Sequence, residues 1–232
     1  MFYLNPTYLL FMAPAFILML VVQWYVSSAY KKWSQVPSRS RMTGAQAANR
    51  LIQMGALYQV NVEGIAGQLT DHYDPKSKVL RLSQGVYQSS SIAALAIAAH
   101  ELGHAMQDKE AYFPLQLRGA LVPAVNIGSY LGWILLMVGF FLQSSTFGWL
   151  GLGIFSIGAV FALLTLPVEL NASSRARQLL QESGLVTSQD EMQGVSHVLN
   201  AAALTYVAAL ITAVMQILYY ATMLIGFGRR RD

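Results

Sequence analysis

The sequence predicts a mainly α-helical integral membrane fold. It has about four transmembrane helices and a polar unit carrying a histidine-bearing helix and a small β-hairpin. Three observations predict this. First, 55% of the 232 residues are hydrophobic and only 11% are charged, with a mean hydropathy of +0.43. A soluble domain carries about a quarter charged residues, so this chain has too few to cover a water-facing surface. Second, apolar runs long enough to cross a bilayer recur at residues 8–26, 121–142, 147–166 and 198–227. Third, SSIAALAIAAHELGHAMQD at residues 90–108 is rich in helix formers, begins at a capping serine, and places His-Glu-Leu-Gly-His within one helix. The formal charge of +4 includes no basic run interleaved with aromatics, which argues against nucleic acid as a partner. Cysteine is absent, which removes disulfides, thiolate metal ligands and cysteine nucleophiles together. Any metal must be held by histidine and carboxylate.

The first apolar run ends in an aromatic girdle of Trp24, Tyr25, Tyr30 and Trp33. A cleaved signal peptide is the alternative, with Ser27-Ser28-Ala29 as its cleavage site. No positive charge precedes the run, however, whereas Lys31, Lys32, Arg39 and Arg41 follow it. This is the flank pattern of an uncleaved anchor entering from outside. Residues 37–41 read as a linker, and TGAQAANRLIQM as an amphipathic helix capped by Thr43 and stopped at Gly55. Turn chemistry at Asp74-Pro75-Lys76-Ser77-Lys78 and alternation in Val79-Leu80-Arg81-Leu82 predict a β-hairpin just before the histidine helix. Its edge is either a cradle for an extended peptide or part of a small structural sheet. Asp71, His72 and Asp74 lack one-face helical spacing and read as turn residues rather than ligands.

Gln143-Ser144-Ser145-Thr146 alone separates the second and third apolar runs, so these form a helical hairpin. Gly128, Gly132, Gly139, Gly151, Gly153 and Gly158 are available for close packing. Pro167 is expected to break or kink the chain at the membrane exit, after which VELNASSRARQLLQES returns to helix. Residues 188–194 read as a polar loop. The last apolar run exceeds one span, and its first part, NAAALTYVAA, is expected at or below the membrane surface, packed on the polar unit. The organisation is thus an anchor at 1–30, a polar region at 31–120, a transmembrane hairpin at 121–166, a second polar segment at 167–197, and a C-terminal helix, partly transmembrane, at 198–232. With the first span entering from outside, every Lys and Arg except Arg229, Arg230 and Arg231 falls on cytoplasmic segments. That terminal cluster opposes the orientation.

On a helix, His100 and His104 share a face one turn apart, so two neutral imidazoles can converge on one zinc ion. Glu101 leaves the helix about 100° around from His100 and is the candidate general base. Two histidines leave a third ligand to be found. Asp108 lies four residues past His104 on the same face, but three ligands in line along one helix cannot surround an ion. Glu169, expected on a new helix after Pro167, is better placed, because an acidic residue at a membrane exit is costly unless paired or ligated. Its alternative is a surface carboxylate near Arg175. Ser173, one turn on from Glu169, is placed to orient a ligand by hydrogen bonding. His197 reads as a core or surface residue rather than a ligand. Tyr206 sits in an apolar run, where its hydroxyl needs a partner. It is either satisfied structurally or the donor to a tetrahedral oxyanion.

The blocks LTDHYDPKSKVLRLS, VYQSSSIAALAIAAHELGHAMQ, LPVELNASSRA and VLNAAALTYVAA resemble the YugP-like bacterial membrane zinc metallopeptidases. That family is similar in plan to HtpX-type membrane proteases. The resemblance runs from about residue 67 to residue 209. It implies a cytoplasmic zincin-like unit of gluzincin type, with His100, His104 and Glu169 as zinc ligands and Glu101 as catalytic base. It also implies residence in the bacterial cytoplasmic membrane. One departure is Asn171, where the family pattern V-E-F-D-A-S has Asp. On a helix this position points away from Glu169, so zinc binding is expected to survive the change. The expected function is zinc-dependent hydrolysis of peptide bonds in a membrane-associated or extended polypeptide, with the bilayer and other membrane proteins as partners. Two rivals stand: a zinc-containing membrane scaffold without turnover, and a zinc hydrolase of a lipid or small amide.

Overall fold

The computed structural model describes residues 5–228. It is 75% helical, in the order α1 (Pro6–Ser34), α2 (Gly44–Met54), β1 (Asn61–Ile65), β2 (His72–Asp74), β3 (Val79–Ser83), α3 (Gln84–Tyr87), α4 (Ile92–Lys109), α5 (Phe113–Phe141), α6 (Ser145–Phe155), α7 (Ile157–Glu182) and α8 (Gln189–Gly228). Among the described residues, four helices are long and apolar enough to cross a membrane: Pro6–Ser34, Phe113–Phe141, Ser145–Glu182 (α6 and α7 together) and Gln189–Gly226. Arg229, Arg230 and Arg231, the cluster that opposes the charge-based orientation, lie outside the described residues. The chain divides into two compact units. A polar unit comprises Gln23–Gln116 with Pro167–Leu204, and a membrane unit comprises the described parts of Met1–Val22, Leu117–Leu166 and Thr205–Asp232.

In the polar unit, local signals set the helix starts. Thr43 accepts from the Gln46 amide while the Gln46 side chain accepts from the Thr43 amide, which makes a reciprocal cap on α2. Ser91 Oγ accepts from the Ala94 amide at 3.2 Å and caps α4. The hairpin forms as expected. Asp74 Oδ1 accepts from Lys76 N–H at 2.9 Å, and β2 pairs antiparallel to β3 with Tyr73 opposite Leu80. A third strand, β1, pairs parallel to β3, so the order is β1-β3-β2 and β2 is an edge. Sequence alternation does not reveal β1, because a parallel partner must arrive by a crossover from outside the hairpin. The central strand buries Val79, Leu80, Leu82 and Ser83. The core beneath collects Leu51, Leu57, Leu95, Leu102, Leu180 and Leu199, each worth about 1.5–3 kcal/mol on burial.

Two sequence expectations are corrected here. Pro167 does not end a helix: α7 runs through it from Ile157 to Glu182, so Glu169 sits on the same helix as the third apolar run. Proline is tolerated in such helices because neighbours take over the backbone groups it frees. The interruption lies earlier, at Ser156, whose Oγ donates to Leu152 O at 2.7 Å between α6 and α7. Residues 189–194 are the first turns of α8 rather than a loop. Ser188 Oγ accepts from the Glu191 amide at 3.3 Å, and Asp190 and Glu191 suit the positive end of the helix dipole.

In the membrane unit, α5 and α6 approach through glycine. A Cβ on Gly132 would lie 2.6 Å from Phe155 N, one on Gly139 2.5 Å from Gly148 N, and one on Gly151 2.5 Å from Leu136 N. Gly153 and Gly158 face open space instead, and Gly128 makes only ordinary contact. Leu136, Leu152 and Leu224 form the small core. Leu10, Phe16 and Ile17 on α1, and Ile127, Tyr130 and Phe141 on α5, are exposed. They form an apolar surface suited to hydrocarbon rather than water.

Candidate metal centre

Helix α4 carries the His100–His104 pair on one face, with ring centroids 4.9 Å apart and planes at 84°. Much of its remaining surface is small: Ala93, Ala96, Ala98 and Ala99 are buried, so other elements can approach it closely there. Gly103, inside the HELGH motif, decides how close. A Cβ there would lie 2.5 Å from Ala172 O of α7, so the absence of a side chain lets the two helix backbones touch. This contact brings Glu169, three residues before Ala172, to the histidine face. Glu169 is 2% exposed, and its Oε2 stands 3.2 Å from His100 Nε2 and 3.5 Å from His104 Nε2. The candidate ligand atoms of the three residues lie within 4.8 Å of one another.

Burying a carboxylate without a charge partner is expensive. Two imidazole nitrogens and one carboxylate oxygen converging from two helices form a donor set that suits zinc and leaves a position open. The residues present therefore fit the ion. Each imidazole is also held from behind. Ser173 Oγ lies 3.2 Å from His100 Nδ1, which matches its place one turn beyond Glu169. His104 Nδ1 lies 3.0 Å from Gln107 Oε1. The sequence reading missed Gln107. It is fully buried, and its position three residues after His104 on the same helix face is the signal that could have found it.

Glu101 is adjacent to this cluster but outside it. Its Oε2 accepts from Tyr73 N–H of edge strand β2 at 3.1 Å. Burial pushes the Glu101 carboxyl above its ordinary range, against the opposing pull of His100 and His104. Asp108, the rival third ligand, is engaged elsewhere. It accepts from Tyr73 Oη at 2.7 Å and Lys78 Nζ at 2.5 Å, tying the hairpin to the end of α4. Burial, followed by the Asp108 hydrogen bond and charge, raises the Tyr73 hydroxyl well above its ordinary value, so Tyr73 stays a neutral donor.

The other polar candidates are structural in their contacts. Asp71 accepts from Ser83 N–H at 2.7 Å, Asp74 organises the hairpin turn and meets Arg81 at 3.1 Å, and His72 Nδ1 lies 2.9 Å from Thr70 O. His197 stacks on Tyr25 at 5.3 Å. Asn171 turns away from Glu169, as helical spacing requires. Its Oδ1 accepts from Gln107 Nε2 at 2.9 Å and from Arg175 Nε at 2.8 Å. Arg175 in turn pairs with Glu110 through two bonds of 2.8 and 2.6 Å. Tyr206, half-buried on α8, belongs to the membrane unit.

Comparison with known proteins points to a zinc peptidase family. A family model described as "Putative neutral zinc metallopeptidase" matches residues 8–225. A curated relative from Bacillus subtilis (strain 168), "Putative membrane protease YugP", is 44% identical over 198 residues, covering 85% of this chain and 88% of the relative. No solved structure matches the chain.

Proposed function

We propose, from the premise that the chain belongs to the neutral zinc metallopeptidase family, that it hydrolyses peptide bonds at the cytoplasmic face of a bacterial cell membrane. The observation that carries this reading is the convergence of Glu169 on the two HELGH imidazoles, with Glu101 beside them and hydrogen-bonded to an edge strand. His100, His104 and Glu169 would hold one zinc ion, which supplies Lewis-acid activation of water and of the scissile carbonyl. Glu101 would take a proton from the attacking water and return it to the leaving amine. Strand β2 is an edge strand with no further strand beside it among the described residues, and an extended polypeptide can add to such an edge through its backbone. A lipid has no such backbone, so this edge favours a peptide over a lipid substrate.

The test uses the full chain in detergent with zinc and an unfolded polypeptide, with mass spectrometry to identify new termini. Defined internal cuts that disappear on zinc chelation are expected. Intact substrate across zinc-loaded preparations would overturn the protease reading.

The cytoplasmic orientation rests on Lys31, Lys32, Arg39 and Arg41 after the first span. Single cysteines at Ser34 and Ser144 can be probed with an impermeant thiol reagent in intact cells, since the chain has no cysteine of its own. Labelling at 144 and protection at 34 are expected. The opposite pattern would invert the orientation.

A further inference from the structure

The buried carboxamide of Gln107 has only one workable orientation, and this follows from donor and acceptor chemistry alone. One end of the amide lies 2.8 Å from Val168 O, a carbonyl that can only accept, so that end must be the NH2 group. The same NH2 reaches Asn171 Oδ1 at 2.9 Å. The Asn171 amide is fixed in its turn, because Arg175 Nε, a group that can only donate, lies 2.8 Å from the same oxygen. Arg175 is held at its far end by the Glu110 carboxylate. The Gln107 oxygen is thereby committed to His104 Nδ1 at 3.0 Å. An oxygen there requires Nδ1 to carry the hydrogen, which leaves the lone pair of a neutral ring on Nε2. That nitrogen faces Glu169 Oε2 at 3.5 Å.

We propose that Gln107 is a positioning residue for the metal centre. It selects the His104 tautomer and ring orientation in which Nε2 is the donor, and Val168 O, Asn171 and Arg175 lock its own amide. The proposal rests on the reading of His100, His104 and Glu169 as zinc ligands, and it adds a dependence that this reading does not require. Partners behind a metal-bound histidine typically change metal affinity by about 10–100-fold. Gln107 is fully buried, so water does not replace its oxygen when the side chain is exchanged for an apolar one.

The experiment measures zinc affinity by chelator competition on the purified full chain in detergent, with thermal unfolding recorded beside it. Gln107→Met keeps the volume and removes the acceptor, and zinc affinity is expected to fall about 10–100-fold in a chain that still unfolds cooperatively. Nitrogen-15 NMR of the histidine rings in the zinc-loaded parent is expected to show the hydrogen on His104 Nδ1 and the metal on Nε2, a signature that a merely structural Gln107 would not set. Should Gln107→Met fail to fold, Gln107→Asn takes its place. It retains a buried carboxamide one methylene short of the ring, and the same loss is expected. Parental affinity in the Met or Asn variant overturns the proposal, as does a hydrogen on His104 Nε2 with the metal on Nδ1 in the parent. A parent chain that binds no stoichiometric zinc overturns the ligand assignment itself, and the positioning role with it, so the two failures are told apart by the parent titration.

Discussion

Glu101→Gln should retain zinc and fold while losing about a hundred- to ten-thousand-fold in turnover, the usual contribution of a positioned acid–base group. The substitution preserves volume and removes only the proton-accepting oxygen. The bond from Tyr73 N–H is kept in weaker form, because the amide oxygen of glutamine still accepts it. Glu101 is also not among the three converging donors, so zinc content should match the parent. The variant should hold uncleaved substrate, which makes it a trap for identifying one. A zinc-containing scaffold makes a different prediction: Glu101→Gln would be silent, whereas His100→Ala would abolish partner binding through lost structure. Parental cleavage by Glu101→Gln would end the proposed mechanism.

The second large effect concerns the third ligand. Glu169→Gln should lose zinc by more than the roughly 10–100-fold expected from an outer hydrogen-bond partner, because it removes one of three donors and the only carboxylate among them. Asp108→Asn should keep zinc. Its carboxylate serves Tyr73 and Lys78, so the consequence of losing it is a looser hairpin rather than an empty metal centre. Metal analysis of the two variants after exhaustive dialysis gives a direct comparison. Zinc loss in Asp108→Asn with retention in Glu169→Gln would reverse the assignment.

What could be read in the sequence is what local geometry controls. The His100–His104 pair follows from helical spacing alone. The starts of α2 and α4 follow from Thr43 with Gln46 and from Ser91, each reaching three residues along its own helix. The hairpin follows from Asp74 and its turn, and the four apolar helices from length and composition. Each of these depends on groups within a few residues of one another, where backbone geometry leaves little choice.

What only the tertiary structure decided lies across long separations. Helical spacing favours Glu169 over Asp108 as the third ligand; that Glu169 meets the histidines depends on Gly103 letting α4 rest on Ala172 O, while Tyr73 and Lys78 occupy Asp108. Residues 64 to 69 positions apart meet there through Gln107–Asn171 and His100–Glu169, and no periodicity encodes such a meeting. The parallel strand β1, the passage of α7 through Pro167 and the forced orientation of Gln107 belong to the same class. A hydrogen bond or a proline cost that appears unsatisfied along the chain is resolved by a partner from another element, and packing alone determines which partner arrives.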